Sequence, residues 1–295
     1  MKHVIINADD MGWSAAVNRG IVEAFENGVL TSTTLLINGP ACGDAVERVR
    51  LRPALGVGLH LNLLRGRPVL PAARLGRLVD GRGLFVCSVP RLFAAALFSP
   101  SARACMEAEL SAQIERALAA GVPLTHLDSE KHVHFFPPIN RIVVRLARRY
   151  GIKALRHARR WDAQLCCRPG VAGGPWARLK ERLLLVFSGL NSRGIYRSGL
   201  RSPDRIFGVA ESGKLTAGVL ERILAVIPDG ISEIVCHPGF AERGKVEADG
   251  LLGRTYIDRF RELELEGLLS PRPREVAGEL GIELINYGDL GGTSA

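Results

Sequence analysis

Short apolar runs alternate with amphipathic segments almost from one end of the chain to the other. Residues 4–8, 30–38, 56–62, 124–128, 154–157, 231–237 and 282–287 have the length and apolar content of buried strands. Ser14 is placed to cap a helix running to Phe25, with Gly28 past its end. Further helices are predicted over 40–49, over 102–120 with a stop at Gly121, and over 138–150 with a close at Gly151. Helical patterns return near 215–226, 256–269 and 273–280, and around 176–190 within a long insertion. Residues 63–100 are punctuated by Gly and Pro and carry no clear period.

Strand–helix alternation implies a parallel sheet with helices packed outside it. Right-handed crossovers leave two solutions, a closed barrel or an open doubly wound sheet. No G-x-G-x-x-G follows the first strand and no G-x-x-x-x-G-K-[ST] occurs anywhere, so no nucleotide signature favours the open sheet. There is no internal repeat and no low-complexity tract.

Composition adds limits. With 295 residues, 47% of them hydrophobic, the chain can bury a sizeable core. It is expected to be one domain over 1–295, with a basic insertion at about 158–203. The longest apolar stretches, 92–98 and 183–187, are far short of the roughly 20 residues that span a bilayer. The start lacks a signal-peptide pattern, and the six cysteines form no C-x-x-C pair. Reduced thiols and a cytoplasmic location are the expectation.

Charge is uneven. The net charge is +9, yet residues 141–205 alone hold 16 basic and 3 acidic residues. Such a zone attracts nucleic acid, anionic lipid or a phosphorylated substrate. Aromatics there are few and not interleaved with the cations, which argues against nucleic acid. Arg178, Lys180 and Arg182 precede the apolar run at 183–187, a pattern compatible with peripheral contact with an anionic membrane and with a lipid-linked or anionic sugar as substrate. A homodimer is equally compatible with the sequence.

The candidate chemistry lies at the carboxyl ends of the strands, where parallel sheets gather their sites. The first strand ends in Asp9-Asp10, the third carries His60, and a late one ends in His237-Pro238-Gly239. Two adjacent carboxylates facing one pocket would force one to stay protonated unless a cation were present. With a cation, one can bind metal while the other touches a nucleophilic water. His126, Asp128, Glu130, His132 and His134 are spaced by two and would share one face of an extended chain. A bend after Ser129 would leave only some of them as ligands of a divalent ion such as Zn, with the others supporting them. His237 before Pro-Gly is held at a strand rim, suited to proton transfer.

In the order NADDMG, LTSTTLLINGP, GVGLHLNL, THLDSEKHVHFFP and CHPG, these stretches resemble the YdjC-like carbohydrate deacetylase family, which includes chito-oligosaccharide deacetylases. The resemblance implies an irregular (β/α) barrel of the deacetylase type. It implies one divalent metal ion, Zn or Mg, held by Asp10 and His60, with Asp9 as general base and His237 as general acid. The third ligand in such proteins is the first His of D-S-H-x-H-x-H; here that position is Glu130, a departure. Glutamate can ligate either ion, and Asp128, His132 and His134 stand as supporting groups or alternate ligands. The implied reaction is hydrolysis of an N-acetyl group on a sugar. Two other readings are a metallophosphoesterase acting on a sugar or nucleotide phosphate, and a non-catalytic sugar-binding relative.

Overall fold

The computed structural model describes residues 1–158, 175–241 and 260–291, without the side chains of 175–181. The first half runs β1 (Lys2–Met11), α1 (Ala15–Glu26), β2 (Ser32–Leu35), α2 (Cys42–Arg50) and β3 (Gly56–Leu61). Then come α3 (Val89–Phe98), α4 (Pro100–Ala119), β4 (Leu124–Ser129), α5 (Pro137–Arg149) and β5 (Ala154–Leu155). The remainder is α6 (Pro175–Arg197), β6 (Arg205–Phe207), α7 (Ala217–Val226), β7 (Gly230–Cys236), α8 (Phe260–Leu269), α9 (Pro271–Glu279) and β8 (Ile282–Leu284).

The eight described strands pair in parallel, in the order β5-β4-β3-β2-β1-β7-β6, with β8 on β1. β8 takes Lys2–Val4 of β1 and β2 takes Asn7–Met11, so these two share one edge of the central strand. The sheet curls until its ends nearly meet. Arg201, just before β6, bridges Ala154 of β5 through N–H···O bonds to Lys153 and from Leu155, each 2.9 Å. The result is an irregular barrel of the predicted kind, ringed by helices.

Alternation along the strands separates two environments. Val4, Ile6, Ala8, Val57, Leu59, Leu61, Leu127, Ile234 and Cys236 join the apolar layer under the helices. Asn7, Asp9, Thr34, His60, His126, Asp128 and Glu233 take the opposite face and are almost wholly buried. The barrel is therefore lined with polar groups, and its floor is closed by the segment after β8. There Ile285, Tyr287 and Leu290 pack on Ile5 and Ala154, and the Tyr287 ring stacks on His126 at 3.6 Å between centroids. Gly58 makes room for that stack, since a Cβ there would fall 2.5 Å from the His126 ring.

Local signals behave as read in most places. Ser14 accepts from Val17 N–H at 3.2 Å, and Ser99, which follows Phe98, caps α4 in the same way. The strand predicted over 30–38 is shorter, because residues after Leu35 fold into a turn closed by Gly39 N–H on the Leu36 carbonyl. The strand predicted over 154–157 stops at Leu155. The unassigned stretch 63–100 contains α3, capped by Ser88. Among the described residues Cys42, Cys87, Cys105 and Cys236 are free thiols. No described helix is long and apolar enough to cross a membrane. Cys166, Cys167, the side chains of Trp176, Arg178 and Lys180, and the start of the helix predicted from Tyr256 lie outside the described residues.

One close approach ties this frame to the site. Gly20 of α1 packs against the turn after β7, where a Cβ would sit 2.5 Å from Gly239 Cα. On an unobstructed helix face Gly→Ala stabilises by about 0.5–1 kcal/mol. Gly20→Ala is expected to do the reverse, lowering unfolding free energy by roughly 1–3 kcal/mol through overpacking. Urea denaturation reads the sign directly, and a gain in stability would refute the contact.

Candidate active site

The mouth of the barrel is built from strand ends, and two local irregularities decide what points into it. The first is a bulge. β1 pairs Ala8 with Thr33 and Met11 with Leu35, so three steps on β1 match two on β2. Asp10 takes φ 73° within that bulge. Asp is among the few residues that tolerate this conformation. Alternation is broken there, and the two neighbouring carboxylates both face the same side, each within 4 Å of an imidazole: Asp10 Oδ1 lies 3.7 Å from His60 Nε2 and Asp9 Oδ2 lies 3.9 Å from His237 Nε2.

The second irregularity follows β4. Glu130–Phe135 forms a short 3-10 segment in which Lys131 and His132 have φ of 51° and 56°. Extended alternation ends at Ser129, as the bend predicted there requires. Glu130 reaches the mouth, with Oε2 3.6 Å from His60 Nε2. His132 turns toward Phe135, edge to face at 6.3 Å. His134 is folded under the loop, its Nδ1 2.6 Å from Ser129 Oγ and its Nε2 2.9 Å from the Arg156 carbonyl. Both nitrogens are engaged, so Nε2–H donates to the carbonyl and Nδ1 accepts from the hydroxyl. Burial lowers the His134 pKa to about 3 and keeps the ring neutral.

Beneath these groups lies Arg156, fully buried. Its guanidinium binds both Asp9 oxygens at 2.7 and 2.8 Å, Asp128 Oδ2 at 2.6 Å and Glu233 Oε1 at 2.8 Å. Burial alone would raise the Asp9 carboxyl, but Arg156, His60 and His237 overrule it and hold Asp9 far below the usual range. Asp10 is likewise lowered despite burial, chiefly by Arg261, whose Nη2 lies 2.5 Å away. Glu233 goes the other way, raised by burial, and accepts from Tyr287 Oη at 2.6 Å. Thr34 Oγ1 sits at the centre, 3.2 Å from both His60 Nδ1 and Asp128 Oδ2.

His237 is placed by α8. Its backbone N–H donates to Glu264 Oε2 at 2.5 Å, and its Nδ1 is 3.3 Å from Ser212 Oγ. Arg261, one turn earlier on α8, spans from Asp10 to the His237 carbonyl, 3.3 Å away. One helix thus joins the two sides of the mouth.

Among the described residues, two sets of side chains bring ligand atoms within 4.8 Å of one another, Asp9/His60/Asp128 and Asp10/His60/Glu130. In the first, both Asp9 oxygens are taken by Arg156 and Asp128 Oδ1 already holds His60 Nδ1 at 2.8 Å. In the second, Asp10 and Glu130 each keep one oxygen facing His60 Nε2. These separations of 3.6 and 3.7 Å approach the ~3.3 Å that tetrahedral zinc ligands at about 2.0–2.1 Å would show. The Asp128–His60 bond supplies the carboxylate behind the imidazole that orients a metal ligand. Burial would lower the His60 pKa, yet Asp128, Glu130 and Asp9 raise it well above the ordinary value. A field that favours a proton at this ring favours a cation beside it. The residues fit a divalent ion held by Asp10, His60 and Glu130.

A sequence model of the YdjC-like protein family matches residues 3–279. The chain belongs to the YdjC-like family. It is 43% identical to the carbohydrate deacetylase of Geobacillus stearothermophilus, over 97% of both chains. It is 44% identical to the chitooligosaccharide deacetylase of Salmonella schwarzengrund, over 97% of this chain and 98% of that one. A solved structure of an Enterococcus faecalis V583 protein named for cellobiose-phosphate cleavage shares the architecture, with a TM-score of 0.72 at 28% identity and 98% of each chain covered.

The structure brings Asp9, Asp10, His60, Asp128, Glu130 and His237 to one mouth, and sets His132 and His134 to one side. Reading strand ends alone passes over Arg156, although it directly follows the apolar pair Ala154-Leu155 and is a strand-end residue like the others. Arg261 and Glu264 carry no such signal in this YdjC-like chain, since the run RELELE reads as a solvated helix face.

Two expectations follow. Arg156→Met would leave three buried carboxylates without their cation and cost about 3–5 kcal/mol of folding stability. Chemical denaturation near pH 7 checks this, and an unchanged midpoint would refute it. The second concerns pH. The His134 pKa is depressed in the folded state, so its contribution is full above about 6.5, the unfolded value, and is lost as pH falls toward about 3. The slope is at most about 1.4 kcal/mol per unit. The stability gap between the native protein and His134→Gln should therefore narrow from pH 7 to pH 4.5; a constant gap would refute it.

Proposed function

We propose that this protein is a metal-dependent carbohydrate deacetylase that hydrolyses an N-acetyl group from an amino sugar, the amide carbon–nitrogen bond being the one broken. The observation that carries this is the Asp10/His60/Glu130 set standing beside the Asp9–His237 pair at one barrel mouth. The deacetylase names of the Geobacillus and Salmonella relatives give the substrate class.

When bound, a divalent ion here supplies an acidified water and polarises the acetamide carbonyl. Asp9 remains ionised throughout the working range because Arg156 grips it. That grip also makes it a weak base, suited to orienting the water and passing its proton on. His237, with Nε2 3.9 Å from Asp9 Oδ2, stands where that proton can reach the departing amine. Glu264 fixes the His237 backbone and Ser212 faces the other ring nitrogen, so the ring is presented in one orientation. Asp128 orients His60, while His134 braces the loop that carries Glu130.

A phosphoesterase reading is disfavoured by the cations. Among the described residues, Arg65, Arg156 and Arg261 each face a carboxylate, which leaves the described part of the mouth poor in positive charge for a phosphate. For the finer substrate, α6 offers one observation. Leu183, Val186 and Leu190 are exposed along one face, and Leu97 and Phe98 are exposed on α3, which meets α6 through Phe93 and Phe187. With the basic character of this region, that surface supports contact with an anionic membrane and a lipid-linked sugar. A cytoplasmic enzyme working at the inner membrane face is consistent with it.

Acetate release from N,N′-diacetylchitobiose tests the activity. Asp9→Asn should keep its metal and lose at least a hundredfold in turnover. Glu130→Ala should lose metal, measured by elemental analysis of purified protein; full occupancy in that variant would overturn the ligand set. Co-sedimentation with vesicles containing anionic phospholipid at low salt should retain the protein, with release at high salt. Absence of binding would remove the membrane contact while leaving deacetylation untouched.

A further inference from the structure

Glu130 and Asp10 are not bare carboxylates. Glu130 Oε1 lies 2.8 Å from Arg65 Nε while Oε2 faces His60. Asp10 Oδ2 lies 2.5 Å from Arg261 Nη2 while Oδ1 faces His60. Each ligand carboxylate has one oxygen turned to the centre and one paired with a guanidinium, Asp10 through a hydrogen bond and Glu130 through an ion pair. The two negative charges of the donor set are matched by two positive ones.

Arg65 is built into place. Its backbone N–H donates to Asn62 Oδ1 at 3.0 Å, and its carbonyl accepts from Asn62 Nδ2 at 2.8 Å. Asn62 is itself clasped by Gln113, which accepts from its N–H at 3.0 Å and donates to its carbonyl at 2.7 Å. The Arg65 guanidinium carbon lies 5.5 Å from the centroid of the Trp13 ring, and Trp13 belongs to the turn that follows Asp10. Arg65 is only 7% exposed, so solvent does little to loosen it.

We propose that Arg65 is a metal-selectivity residue: by holding one Glu130 oxygen it limits that carboxylate to a single ligand atom. The proposal rests on the metal-dependent reading given above. A site of one-oxygen carboxylates and an imidazole suits a small cation of low coordination number such as Zn²⁺. It penalises Ca²⁺, which takes 6–8 oxygens at 2.3–2.6 Å and commonly uses both oxygens of a carboxylate. Freed from Arg65, Glu130 can swing both oxygens to the centre.

The test is the ratio of Zn²⁺ to Ca²⁺ affinity, measured by competition against a chromophoric chelator and by calorimetry, in the full chain and without substrate. Arg65→Met removes a positive charge and should strengthen every divalent ion, a gain that cancels in the ratio. The ratio itself is expected to fall at least tenfold in Arg65→Met. In Arg65→Lys, which keeps the charge with a single-point donor, it should fall less. Equal strengthening of both ions in Arg65→Met, leaving the ratio unmoved, would overturn the proposal. So would a fall in Arg65→Lys as large as in Arg65→Met. Thermal melting of the metal-free variants verifies that they are folded; should Arg65→Met not fold, the Lys variant is compared with the native protein, and an unmoved ratio there overturns the proposal. A native protein that binds neither ion would instead defeat the metal reading itself.

Discussion

A guanidinium shut away from water holds three carboxylates from three strands. Arg156 gathers Asp9 of β1, Asp128 of β4 and Glu233 of β7, and each would be costly to bury alone. The polar interior of the barrel depends on this cation. Without it the carboxylates would repel one another, or take up protons, and Asp128 would lose its fixed orientation toward His60. Asp9 owes its permanent charge to the same contact, so the group that stabilises the interior also sets the chemistry at the mouth.

Charge is balanced in layers. Arg156 neutralises the inner carboxylates, while Arg65 and Arg261 each take one oxygen of an outer carboxylate. Among the described residues, one oxygen from Asp10, one from Glu130 and the Nε2 of His60 are left facing the centre. Glu130 stands where the family resemblance places an imidazole, and the neighbouring guanidinium brings the local charge back toward that of a neutral ring. Glutamate at this position is thus accommodated by a partner 65 residues earlier in the chain.

Helix α8 is the second integrating element. Through Arg261 it touches Asp10 and through Glu264 it fixes His237, which links the metal-facing side of the mouth to the proton-transfer side. Gly20 lets α1 press against the His-Pro-Gly turn from behind. The rim is therefore held by helices outside the barrel as much as by the strands that carry it.

The order of residues is enough to place the strand–helix alternation, the serine cap of α1 and Asp9, Asp10, His60, Asp128, Glu130 and His237 at strand ends, because these depend on local periodicity and on the geometry shared by parallel sheets. It carried the family motifs as well. The direction in which those side chains point comes instead from packing between distant segments. At Asp10 a bulge shifts the register of β1 against β2 and breaks the alternation, and at Lys131 and His132 the chain turns so that His134 meets the Arg156 carbonyl. Arg65 and Arg261 were equally out of reach, since a basic residue in a loop or on a helix looks solvated until distant carboxylates are folded against it. Coulomb attraction depends on separation in space, and separation along the chain does not report it.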